Sequence, residues 1–86
     1  MKGYMDLQSF PQKRLKNCYV GLFLFGDTLC VKTEYMTKSA DGRCYSDCYI
    51  CSTGECFWGG THSFEERDNL MVYPIEIKLK IKEDEI

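Results

Sequence analysis

Near the end of the chain Ile75, Ile77, Leu79 and Ile81 alternate with Glu76, Lys78, Lys80 and Lys82. Successive side chains of a strand point to opposite faces, so this segment is a strand with one apolar and one solvated face. A second stretch, 28–36, alternates in the same way. Leu29, Val31, Thr33 and Tyr35 share one face, and Cys30, Lys32, Glu34 and Met36 the other. Gly26-Asp27 stands before it as a tight-turn pair, because glycine accepts positive φ. Two period-two segments in 86 residues commit the chain to β structure. A chain of this length is one domain and buries only about 60–65% of the surface its unfolded form exposes.

The remaining segments extend the pattern. CYVGLFLF (18–25) is apolar, aromatic and branched, and CYSDCYICS (44–52) follows the polar loop 38–43. Thr53-Gly54 reads as a two-residue turn into ECFWGG (55–60). That turn would set Cys51 opposite Cys56, Ile50 opposite Phe57 and Tyr49 opposite Trp58. Thr61 or Ser63, followed by Glu65 and Glu66, can start one helical turn within the charged connection 61–69. Met71, Val72 and Tyr73 extend the last strand across Pro74, which belongs at a bulge, corner or edge. Five strands with minor helix predict a small antiparallel barrel or curled sheet, SH3-like or OB-like. Residues 1–17 form a lead-in, 18–82 the β core and 83–86 a frayed acidic tail. The lysines of 75–82 mark an edge strand, through which a second copy of the chain could pair.

Composition narrows the function. Hydrophobic residues make up 44% and charged residues 28%, the balance of a folded domain. A net charge of -2 excludes a uniformly basic nucleic-acid binder. No apolar run approaches the roughly 20 residues of a membrane span. Lys13, Arg14 and Lys16 before the apolar run 19–25 imitate an export signal. That run has only seven residues, ends at Gly26-Asp27 and lacks a small-x-small cleavage site. The expectation is a cytoplasmic protein with reduced thiols.

Cys44, Cys48, Cys51 and Cys56 form a dense group of thiols, with His62 close behind. Thiolates in fours hold structural zinc, so a zinc module with His62 as a substitute ligand is one reading. The plainer reading makes these cysteines small apolar core residues. A redox pair, Cys51 with Cys56, is the third. CYIC lies within a strand pattern, unlike the helix start where thioredoxin-type CxxC sites have their thiol activated. His62, the only histidine, has Cys51 or Cys56 as possible nucleophile partners and Asp47 or Glu65 as possible orienters. No hydrolase signature surrounds them, and a solvated loop histidine is the plainer reading.

Phe57-Trp58-Gly59-Gly60 is the most site-like stretch: one large aromatic face beside bare backbone. With Tyr49 opposite, and acids such as Glu55, Glu65 and Glu66 around it, it forms an aromatic patch with an acidic rim. The alternative makes Trp58 a core plug and the glycines a bulge. Segment 26–73 carries four basic residues (Lys32, Lys38, Arg43, Arg67) against eight acids. The basic residues of 1–17 and 75–82 would make an opposite, positive edge if those segments pair.

These features predict a non-enzymatic module that binds a protein partner through Tyr49, Phe57, Trp58, Gly59, Gly60 and Glu55. An inhibitor of the phage or mobile-element type fits that profile. A structural zinc module on Cys44, Cys48, Cys51 and Cys56 is the second expectation. A nucleotide or oligonucleotide binder stacking a base on Trp58 is the third.

Overall fold

The computed structural model describes residues 3–9 and 11–81. Gly26-Asp27 folds strand β3 (Gly21–Phe25) back onto β4 (Thr28–Lys38). Gly26 sits at φ +58 and Asp27 on the negative side, the sign pattern of a type II′ turn. This hairpin is the middle of one antiparallel sheet. The other elements are β1 (Gly3–Ser9), β2 (Lys13–Arg14), β5 (Cys44–Ile50) and β6 (Met71–Ile81), with a short helix α1 (Phe64–Asp68). The strand order is β1-β6-β3-β4-β5, with β2 also on β6. Of the two expected architectures, the sheet is the open one. Among the described residues β1 and β5 do not pair, so no barrel closes.

The last strand, β6, has partners on both sides, but along different stretches. β3 pairs with Tyr73 and Pro74, and β1 pairs with 75–81 on the opposite side. The edges belong to β1 and β5. The lead-in supplies β1, which pairs Leu7 with Ile77, Asp6 with Lys78 and Met5 with Leu79. The condition for a shared basic edge is therefore met in the backbone. Pro74 stands where β6 changes partner. Tyr73 and Pro74 pair with β3, and from Ile75 onward β6 pairs with β1. Proline cannot donate to the ladder, so pairing changes hands there at low cost.

The hairpin after β5 is wider than expected. Ile50 N donates to Glu55 O at 2.8 Å, and Gly54 N donates to Ile50 O at 2.7 Å. The loop is thus 51–54, four residues long, with Gly54 at φ +75. Tyr49 pairs with Cys56 rather than Trp58, and Phe57 N bonds Cys48 O at 2.9 Å. Cys51 and Cys56 are not opposed, and 55–60 makes a single bridge instead of a strand. The shift is by two residues, so each side chain keeps its face.

Leu15, Cys18, Phe23, Cys30, Cys48, Phe57 and Val72 form the core. Phe57 packs edge-on against Phe23 and Phe25, with ring centres 5.3 and 5.4 Å away. Of the four clustered cysteines only Cys48 is the small core residue the plainer reading expects. Cys44, Cys51 and Cys56 are exposed, and the other core cysteines are Cys18 and Cys30. Burial pushes the Cys30 and Cys48 thiols up to about 11, and raises that of Cys18. β3 begins at Gly21, three residues later than the apolar run. A 3₁₀ turn (Leu15–Asn17) ahead of it buries Leu15 and leaves Tyr19 91% exposed.

On β4 the buried face is the one carrying Cys30 and Lys32. Lys32, only 8% exposed, donates to Leu15 O at 2.9 Å and Cys18 O at 2.8 Å. The Leu15 carbonyl also accepts from Cys18 N at 3.1 Å, whereas that of Cys18 lies at the C-terminal end of the 3₁₀ turn, where acceptors need donors from outside it. One ammonium thereby ties the lead-in to the central hairpin. Among the described residues, no helix is long and apolar enough to cross a membrane.

Candidate binding site at the Trp58 corner

The site grows from α1. Ser63 caps the helix: its hydroxyl accepts from Glu66 N at 3.1 Å and approaches the Glu66 carboxylate at 3.3 Å. This is the Ser-x-x-Glu start signal of the sequence. The cap fixes Phe64 and Arg67, three residues apart, on the same side of the turn. Phe64 stacks on Tyr45 with ring centres 5.2 Å apart and planes 9° from parallel. It meets Trp58 at 4.8 Å, tilted by 45°. The Tyr45 hydroxyl donates to Asp41 at 2.6 Å, which holds that carboxyl below, and the phenol above, its ordinary range. Tyr45, Phe64 and Trp58 thus form one aromatic column with Phe64 at its centre.

Trp58 is held by the turn that follows it. Thr61 donates to Trp58 O twice, from its amide at 3.1 Å and its hydroxyl at 2.6 Å. Gly59 and Gly60 both have positive φ. A Cβ on Gly59 would lie 2.5 Å from a Leu70 methyl and 2.9 Å from the Phe57 ring. That glycine serves close packing rather than open access. Trp58 is neither plug nor free surface: it is 37% exposed, with its ring against Phe64 and the Arg67 guanidinium.

Arg67 is 2% exposed. Its Nη2 donates to Ser46 O at 2.7 Å and to Asp68 at 2.9 Å. The guanidinium carbon lies 5.0 Å from the Phe64 ring centre and 6.0 Å from that of Trp58, a cation–π arrangement. Its Nε is buried and has no hydrogen-bond partner among the described residues. Beside it is a cavity of about 130 Å³, lined by Thr37, Asp47, Tyr49, Trp58, Phe64 and Arg67. Thr33 and Thr37 position Asp47 there. Thr33 donates to its carbonyl at 2.7 Å and Thr37 to its carboxylate at 2.6 Å.

Of the expected binding residues, the structure brings Tyr49, Phe57 and Trp58 to one cavity. Phe57 is core and forms its floor. Glu55 is exposed on the preceding loop. The four cysteines do not gather: Cys48 is buried, while Cys44, Cys51 and Cys56 are exposed. Among the described residues no three His, Cys, Asp or Glu side chains stand together as metal ligands. Phe64, Asp47 and Arg67 are not evident as site residues from the sequence. The spacing of Phe64 and Arg67 after Ser63 was the available signal, masked by the surrounding charges.

Burial also changes the electrostatics. Of the four basic residues in 26–73, Lys32 and Arg67 are buried, so only Lys38 and Arg43 are exposed. Six of the eight acids are exposed: Asp27, Glu34, Asp41, Glu55, Glu65 and Glu66. The surface of this part is thus more one-sidedly acidic than the residue count implies. Comparison with protein-family models, curated proteins and solved structures finds no match to this chain.

Proposed function

We propose that this chain is a non-enzymatic module that captures a protein partner at the Trp58 corner, and that the partner presents a basic surface. The observation that carries this reading is a partly exposed tryptophan, braced by Phe64 and Arg67 over a cavity, in a segment (26–73) that exposes six acids and two bases. Aromatic anchors supply most of the energy of protein interfaces, and complementary charge supplies orientation and speed of encounter. The same acidic surface opposes phosphate backbones, which disfavours the nucleotide reading.

Panning a random peptide-display library on the immobilised protein tests this. The wild-type chain is expected to enrich sequences rich in Lys and Arg. Trp58→Ala is expected to abolish enrichment while the β-type circular dichroism spectrum is kept. Enrichment that survives Trp58→Ala, or enrichment of acidic sequences, would overturn the reading.

A further inference from the structure

The Trp58 cavity has a more specific chemistry than an aromatic patch, and its assignment rests on the proposal that this corner docks a protein. Arg67, one of its lining residues, carries a buried donor without a partner, Nε–H. The lining's anionic acceptor is the Asp47 carboxylate, of which Oδ1 takes the Thr37 hydroxyl hydrogen. Arg67 and Asp47 are the charged residues of the lining, and Asp68 pairs with Arg67 beside it. A carboxylate would bring no donor to Asp47, and an ammonium no acceptor to Arg67. Tyr49, Trp58 and Phe64 offer flat walls. The volume of about 130 Å³ suits one side chain. The group that matches is planar, neutral, and both accepts and donates.

We infer that this cavity takes the carboxamide of an asparagine or glutamine side chain from the partner polypeptide. The carbonyl oxygen accepts from Arg67 Nε–H, and the amide NH₂ donates to Asp47. A buried donor left without a partner is costly, so supplying the acceptor recovers that cost on binding. Nε is closed to solvent. An acceptor meets it only when the Trp58 and Phe64 rings packed on the guanidinium move, so Trp58 reports occupancy.

The probe is acetamide, titrated into ¹⁵N-labelled full-length protein, with acetate and methylammonium as charged mimics of like size. The Arg67 Nε–H and Trp58 Nε1–H resonances are expected to shift saturably with acetamide and not with either ion. Asp47→Asn keeps an acceptor for Thr37 but removes the charge. It should weaken acetamide roughly fivefold, the equivalent of about 1 kcal/mol, and admit acetate. Shifts that are absent, do not saturate, or are equal for acetate in the wild type would overturn the inference. Library panning distinguishes its failure from that of the protein-docking proposal. Basic peptides without an Asn or Gln preference would sink the carboxamide and leave the docking surface. Saturable acetamide binding without peptide enrichment would keep the carboxamide site and sink the protein partner.

Discussion

Among the described residues two cations are buried, and they are satisfied to different degrees. Lys32 lies under the central hairpin with two short hydrogen bonds to carbonyls of the 3₁₀ turn. Arg67 lies at the Trp58 corner, bonded through Nη2, packed on two rings, and with Nε unmet. The two residues are equivalent in the sequence, each one base among acids. In the fold, Lys32 closes a set of backbone valences and Arg67 leaves one open. Burying a charge is costly unless its hydrogen bonds are made. Lys32 Nζ, bonded twice, ties two segments together, whereas the Nε–H of Arg67 has no partner and its residue lines a cavity.

The comparison breaks most directly at Lys32. Lys32→Met keeps the stem but strips both donors, leaving the Cys18 carbonyl buried without the bond the ammonium supplies. A loss of about 3 kcal/mol is expected, which threatens the fold of a chain this small. Urea denaturation measures it, and an unchanged midpoint would show that Lys32 does not pin the lead-in.

The core around Lys32 also sets the response to alkali. Cys30 and Cys48 keep their protons up to about pH 11 in the folded state, whereas the ordinary thiol value is 9.0. Between those values the unfolded chain binds fewer protons than the folded one. Stability is therefore full below pH 9 and falls as pH rises towards 11, by up to about 3 kcal/mol per thiol. Urea midpoints across that window check the sign, and a midpoint that rises would refute it.

The smallest effect sharpens the contrast. Arg67→Met gives up the bonds to Ser46 and Asp68 but also removes the unmet Nε–H. It should cost about 1–2 kcal/mol, clearly less than Lys32→Met. A cost equal to or above that of Lys32→Met would mean that Arg67 is the better satisfied of the two, and the reason to look for a ligand beside it would disappear.

Much of the fold is readable because it rests on local rules. Period-two alternation locates β4 and β6, Gly26-Asp27 locates the β3–β4 hairpin, and Ser63 with Glu66 locates the helix start. The errors fall where the outcome depends on distant partners. An alternating lysine strand looks like an edge from its own pattern, and only the fold shows that β1 pairs along one side of it. The turn at 51–54 is misjudged because Gly54 permits both a tight and a wide loop, and only the bonds to Glu55 and Cys48 choose. The aromatic part of the site, Tyr49, Phe57 and Trp58, is legible as composition. Its basic and acidic parts are not.

The sequence by itself determined that this is a single β domain, where its main hairpin turns, where its helix starts, and that Trp58 stands beside two glycines. Those are consequences of backbone sterics and side-chain period, which act within a few residues. Only the tertiary structure decided which face of β4 is inside, which strand is the edge, which three cysteines are core, and that Lys32 and Arg67 are buried. Each of these depends on what the rest of the chain brings to within a few ångströms, because desolvation and hydrogen-bond completion are set by neighbours in space. The unmet Nε–H of Arg67 is a property of that arrangement, and so is the cavity beside it.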